Sequence, residues 1–281
     1  MGRSTFFHHR VCAVATKHLK ERVIAPILSK ELGVHMVSVS LDTDLFGTFT
    51  GEISRRLSPL ETLRGKCDLA YKNSGISLIV ASEGSFGPHP KLWFVPADEE
   101  FIMLKDYDHQ IEIVARCMST ETNYSSSEIH NEKELMAFVR KCGFPDHAII
   151  LKSLVNPASV VKGIKDENLL LTTYSDMRSH GEMVFAETDM RAMHNPTRMR
   201  IIEQACLELI RKIESSCPNC SAPGFDISSF VEGLPCESCG APTRSALSSH
   251  LSCNTCGYFT ERKYPLGKEY EDPMYCDFCN P

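Results

Sequence analysis

Ile76-Ser77-Leu78-Ile79-Val80-Ala81-Ser82-Glu83-Gly84-Ser85-Phe86-Gly87-Pro88-His89-Pro90 is the stretch on which the fold turns. The apolar run from Ile76 to Ala81 reads as a buried strand, and Ala81 to Pro90 then reads as a loop rich in glycine, proline and hydroxyl groups. Open α/β sheets place ligands at the carboxyl ends of such strands. Glu83 is therefore the candidate catalytic carboxylate, with Ser82 and Ser85 as candidate ligand contacts beside it. The plain alternative is a turn that these glycines and prolines merely shape.

Upstream of this stretch the pattern alternates between strand and helix. Residues 10–16 form a short apolar run, the expected first strand. From Lys17 to Leu32, apolar residues recur at three- and four-residue spacing and predict a helix, which Pro26 would kink or split. Thr16, His18 and Lys20 fall at the strand's end and the helix's first turn, a natural anion site, although lysines there can also be plain surface charges. Gly33 closes the helix, and Val34 to Val39 is the second strand. The polar segment Leu41 to Glu52 follows, where Asp42 and Asp44 could hold a hard cation such as magnesium or simply form a turn. Ser58-Pro59-Leu60-Glu61 opens the next helix with a serine cap, a proline at the first position and a capping-box glutamate, with Arg64 and Lys66 on its outward side.

Downstream, Phe101–Lys105 and Ile111–Cys117 predict an antiparallel hairpin, so the sheet is mixed. Lys162-Gly163-Ile164-Lys165 reads as a phosphate-facing turn. Asn195-Pro196 starts a long amphipathic helix whose inward stripe is Met199, Ile202, Cys206, Leu209 and Ile213. Arg198, in its first turn, opposes the helix dipole. An anion would offset that cost, as would pairing with Asp189 or Glu203. The expected fold class is α/β, with a mixed, mostly parallel sheet flanked by helices over residues 1–215 and a ligand cleft in that domain.

The C-terminal part has a different character. Eight of the thirteen cysteines lie after residue 216, in four C-x-x-C pairs: Cys217/Cys220, Cys236/Cys239, Cys253/Cys256 and Cys276/Cys279. Two-residue gaps let both sulfurs of a pair meet one tetrahedral zinc, and four thiolates leave no open position, so two structural zinc ions are expected. Consecutive pairing gives tandem zinc ribbons over 217–240 and 253–280 within 216–281. Interleaving of first with third and second with fourth is the alternative. Gly240 and Gly257 permit the positive φ of a tight knuckle.

Charge narrows the function classes. The formal net charge is -6, and the segment 217–281 has eight acidic against four basic side chains before its thiolates are counted. Phosphate-backbone binding needs a cationic face, so nucleic acid is a weak partner and a protein partner suits the ribbons better. Phe225, Phe230, Tyr258 and Phe259 are the contact candidates there, or else the ribbons' own small cores. No stretch approaches the length of a membrane helix, and the start has no apolar leader core, so the expectation is a cytoplasmic protein.

The phrases Ala15-Thr16-x-His18-x-Lys20-Glu21, Leu41-Asp42-Thr43-Asp44, Ala81 to Pro90, Ser119 to Asn123 and Thr188-Asp189-Met190-Arg191 through Met199 resemble an uncharacterised bacterial family, a domain of unknown function with paired C-terminal ribbons. The first 90 residues also resemble inosine/xanthosine triphosphate pyrophosphatases. The likeness rests on the Ala-Thr strand end with its lysine-bearing helix, Ser58-x-x-Glu61-Thr62-x-x-Gly65, and a strand ending in Glu83-Gly84. That resemblance implies Lys20 and Lys66 as phosphate contacts and Glu83 as a metal or water-positioning carboxylate. It departs at His18, where asparagine is usual, and at Ser85, where a second glycine often stands. The expected function is a magnesium-dependent hydrolase of a nucleotide or phosphate ester. A non-catalytic nucleotide-binding or protein-interaction module is the alternative, and a nucleic-acid-binding zinc ribbon the weaker one.

Overall fold

The computed structural model describes residues 5–41, 57–156 and 158–281. Asp42 and Asp44, the expected magnesium ligands, lie outside the described residues.

The central sheet contains β1 (Val11–Thr16), β2 (His35–Ser40), β3 (Leu78–Pro88), β4 (Pro96–Asp106) and β5 (Ile111–Ser119), in the order β2-β1-β3-β4-β5. Helices α1 (Glu21–Leu32) and α2 (Pro59–Ser74) follow β1 and β2, and crossovers of that length allow parallel pairing. The expected mixed sheet flanked by helices forms. It is less parallel than expected, with two parallel and two antiparallel ladders, because β3, β4 and β5 are joined by short hairpins that can only run antiparallel.

Glu83 sits inside this architecture differently from the sequence expectation. Ala81 to Pro88 is not a loop but the outer half of β3, zipped to β4 from Leu78↔Asp106 to Pro88↔Pro96. Pairing with β1 ends at Ala15↔Ala81, so β3 runs on past the carboxyl end of its parallel neighbour. The polar residues stay in strand form because β4 satisfies their backbone groups.

Local signals set the helices. Ser58 caps α2 with both halves of the capping box present, and Gly75 closes it at φ 68. α1 remains one helix across Pro26, capped at Gly33 with φ 65. Helix α5 (Pro196–Glu214) starts at Asn195, whose side chain accepts from the Arg198 amide. Its stripe of Ile202, Cys206, Leu209 and Ile213 packs with α1 residues Ile24 and Leu28 against Val14, Val80, Ile102 and Leu104 of one sheet face. The opposite face, with Ala15, Ile79, Ala81 and Met103, is covered by Leu63, Cys67 and Ala70 of α2.

A second, antiparallel sheet orders β6 (Ser126–Ile129), β7 (Ile149–Ser153), β8 (Val160–Ile164) and β9 (Val184–Thr188) as β6-β9-β7-β8. Helices α3 (Glu132–Lys141) and α4 (Glu167–Ser179) bury Leu135, Val139 and Leu170 on it. Lys162, Gly163 and Ile164 belong to its edge strand β8 rather than to a phosphate-facing turn. The C-terminal region holds a third sheet, β10 (Asp226–Glu232), β11 (Ala246–Ser252) and β12 (Phe259–Lys263). Among the described residues no helix is long and apolar enough to cross a membrane.

The α2 cap is an exposed local device, so its loss has a bounded effect. Ser58→Ala is expected to lower unfolding free energy by about 1 kcal/mol with an unchanged denaturant m-value, measured by urea titration.

Candidate functional site

Beyond Thr16, where β3 outruns β1, charged side chains are buried on both faces of the sheet. Lys20, the residue preceding α1, is 6% exposed, Lys66 on α2 is 7%, and Glu83 on β3 is 7%. Arg198 in the first turn of α5 is fully buried. Lys66 does not reach outward as the helix pattern suggested. Its Nζ donates to the Ser82 carbonyl at 3.0 Å and pairs with Glu83 Oε2. Burial of that pair is tolerable because each charge has an opposite partner.

The other centre was not legible in the sequence. Asp98 and Glu100, both on β4, are fully or almost fully buried. Arg198 Nε donates to Glu100 Oε1 at 2.5 Å, and its Nη1 donates to the Met190 carbonyl. Glu100, rather than Asp189 or Glu203, thus offsets the charge at the helix start, and Asp189 is taken by Arg191. The Arg198 guanidinium also stacks 5.0 Å from the centre of the Phe86 ring. Gly84 makes room for this arrangement, since a Cβ there would overlap both Arg198 Nη2 and Glu100 Oε1. Lys20 Nζ lies 3.8 Å from Glu100 Oε2.

Electrostatics follow from the burial. Desolvation pushes the Lys20 ammonium down to about 7, against the pull of Glu100. Desolvation, reinforced by the charge of Glu100, pushes the Asp98 carboxyl up to about 8, while Arg198 and Lys20 act in the opposite direction. Lys66 and Glu83, on the other face of the sheet, act on Lys20 more weakly and in opposite directions.

Of the residues expected to bind a ligand, Lys66 pairs with Glu83 and the Ser82 carbonyl on one face of the sheet, and Lys20 and Arg198 gather at Glu100 on the other. Thr16 is buried at the end of β1, and its Oγ1 has no hydrogen-bond partner among the described residues. His18 is half-buried between β1 and α1, and Ser85 is half-buried two residues beyond Glu83. Asp98 and Glu100 escaped detection because the strand was expected to begin at Phe101, whereas it begins at Pro96. Their signal was period two: both continue the inward stripe of Ile102 and Leu104.

The cysteines form two separate centres. Cys217, Cys220, Cys253 and Cys256 gather at one, and Cys236, Cys239, Cys276 and Cys279 at the other, with all sulfurs of a group within 4.8 Å of one another. The interleaved pairing is therefore the one adopted, and the consecutive pairing is overturned. Antiparallel β10 and β11 are the cause: Asp226 pairs with Ser252, which sets the knuckle before β10 beside the knuckle after β11. At the far end, Cys236 bridges to Glu271 and so meets the last knuckle. Sulfur separations between knuckles are 3.6–3.8 Å. A tetrahedron with Zn–S of about 2.3 Å demands about 3.8 Å, so both tetrads fit zinc. Gly240 and Gly257 have φ 72 and 73, as tight knuckles require, and Ser221 takes the same turn at φ 61. Phe225 packs with Cys217 and Cys253, whereas Phe230 and Phe259 are exposed.

These features define an α/β protein with buried charge pairs and two four-cysteine clusters that could each hold a metal ion. Residues 66–281 match the model of a family described as a domain of unknown function, DUF6671, and the chain belongs to that family. No curated protein matches it. Among solved structures, it is similar to the crystal structure of protein VC0702 from Vibrio cholerae at 10% identity and a TM-score of 0.33, covering 72% of this chain and 94% of that one. A likeness at that level carries no argument about the fold or the site.

Two measurements check these geometries. Metal analysis should find one zinc per chain after Cys217→Ser with Cys253→Ser, which share a site, and none after Cys217→Ser with Cys236→Ser. The second check concerns Asp98, whose folded value of about 8 exceeds its unfolded 3.8. Its stabilising proton is held fully below the unfolded value and is lost as pH rises through the folded one. Asp98→Asn should accordingly gain stability over wild type as pH climbs from about 5.5 to about 8, read as a widening gap in urea midpoints without added divalent cation.

Proposed function

We propose that the charge centre beyond Thr16 binds a phosphorylated ligand, and that the chain is a magnesium-dependent hydrolase of a nucleotide or phosphate ester with a zinc-bound C-terminal module. One observation carries this reading: two buried charge groups, Lys66 with Glu83 on one face of the sheet and Arg198 and Lys20 with Glu100 on the other, flank the carboxyl end of a parallel strand in a low-dielectric interior. Charge interactions there are stronger than in water, and open α/β sheets bind ligands at that end.

Each residue has a role in this scheme. An arriving phosphate favours the charged form of Lys20, whose ammonium is otherwise close to its titration midpoint at neutral pH. Lys66 shares its ammonium between Glu83 and phosphate oxygens, and the carboxylate so released orients and deprotonates the attacking water. Arg198 stays locked to Glu100, and this neutral pair holds the wall of the site in place. Magnesium, when bound, neutralises phosphate oxygens and lowers the pKa of water.

The test is release of phosphate or pyrophosphate across a panel of nucleoside triphosphates that includes the inosine and xanthosine forms. Turnover should fall about a hundred-fold or more in Glu83→Gln. Unchanged turnover in that variant would sink the assignment.

A second reading has its own support. Glu83 is already tied to Lys66, and exposed Phe230, Phe259, Tyr275 and Phe278 decorate an acidic zinc module, as a protein-binding surface would. Under this reading, nucleotides stabilise the chain thermally without being turned over, and the zinc module engages a partner protein.

A further inference from the structure

Phosphate binding through Lys20 and Lys66 leaves the carboxylates of β4 unexplained. Asp98 is fully buried, and neither of its oxygens has a hydrogen-bond partner among the described residues. Glu100 stands two residues along the same strand, so both side chains point to the same sheet face. Its Oε1 is engaged by Arg198, but its Oε2 is buried without a hydrogen bond among the described residues. Lys20 approaches that oxygen to 3.8 Å, which is beyond bonding distance.

Three buried carboxylate oxygens thus lack any donor among the described residues. Carboxylates are acceptor-only when ionised, so a cation brought into the site would satisfy all three oxygens at once. The ligand atoms unpartnered among the described residues are all hard carboxylate oxygens, which selects magnesium or manganese over zinc. Magnesium is commonly held by one or two carboxylates, with phosphate oxygens and water completing the shell. Gly84, across the β3–β4 ladder from Glu100, lets the Glu100 carboxylate and the Arg198 guanidinium lie against the β3 backbone where a Cβ would overlap them.

The surroundings determine what must enter with the cation. Facing the pair are Arg198 from α5, Lys20 from the start of α1, and the Cys117 thiol and Ser119 hydroxyl from β5. With both carboxylates ionised and Lys20 charged, these two cations balance them. A divalent ion alone would leave a buried surplus of positive charge, which a polyphosphate would cancel.

We propose that Asp98 and Glu100 are the protein ligands of a divalent, oxygen-preferring cation that binds together with a polyphosphate. The polyphosphate part rests on the phosphorylated-ligand reading above. The assignment moves the cation from Asp42 and Asp44, the acids that stood out in the sequence, to two acids hidden in a strand.

The test uses the full chain with its zinc sites loaded and manganese as the probe, followed by the loss of the free-ion electron paramagnetic resonance signal with and without inorganic pyrophosphate. Expected is one manganese per chain, bound more tightly with pyrophosphate present. Affinity should fall at least about ten-fold in Asp98→Asn and in Glu100→Gln, and stay unchanged in Asp42→Asn with Asp44→Asn. Since Glu100→Gln strips Arg198 of its partner and can unfold the chain, wild-type protein provides a second measurement. Ferrous iron with ascorbate, substituting for the cation, should cut the backbone around residues 98–100, mapped by mass spectrometry.

Manganese binding untouched by Asp98→Asn, lost instead in the Asp42/Asp44 variant, or absent with and without pyrophosphate overturns the site. Cuts confined to other segments overturn it too. Manganese bound as expected with no turnover of any nucleotide keeps the site and sinks the hydrolase. Cation-independent turnover, retained in Asp98→Asn, does the reverse.

Discussion

The ion pair between Arg198 and Glu100 is the constraint on which the rest of the α/β region depends. Both side chains are out of water, and removing either partner would strand the other charge at a cost of about 3–5 kcal/mol. The same guanidinium bonds the Met190 carbonyl, so the chain leaving the second sheet, the first turn of α5 and strand β4 of the central sheet are fixed to one another. Lys20 is held beside this pair by charge, and Lys66 reaches the neighbouring strand from the opposite face. A helix start that would ordinarily repel a cation has thereby become the anchor of a polar interior.

That interior is an exception to how the rest of the domain is built. Apolar stripes on α1, α5 and α2 cover the two faces of the central sheet and supply the driving force for folding. At the carboxyl end of β1 the same faces carry lysine, arginine and carboxylates. Departures from an apolar core concentrate at functional sites, and this one lies where the β3–β4 hairpin continues beyond the parallel strands. The zinc module shows the complementary case. Its small core around Phe225 buries little, and zinc held by the four cysteines at each end of a three-stranded sheet would supply what apolar burial cannot.

Much of the scaffold was legible in the sequence. The Ser58 capping box, the Asn195-Pro196 start and the α5 stripe act within a few residues, so they can be read along the chain. Glu83 after its buried run and Arg198 at a helix start were likewise visible, whereas Lys20 and Lys66 read equally well as surface charges. Strand length was harder to see. Ser82 to Pro88 looks like a loop until β4 is placed beside it to bond its backbone, and Asp98 and Glu100 look like solvent acids until β4 is known to begin at Pro96.

The sequence alone determined the donor chemistry of the metal sites, since four C-x-x-C pairs offer thiolate knuckles whatever surrounds them. It also determined the helices, whose caps and periodicities are local. Only the tertiary structure decided which knuckles share a metal, because that follows from the antiparallel register of β10 and β11 across a long separation in the chain. It alone decided that Lys66 points inward, that Arg198 belongs to Glu100, and that Asp98 has no donor among the described residues. Burial and partner choice are properties of the packed sheet and helices, and the order of residues constrains them only through that packing.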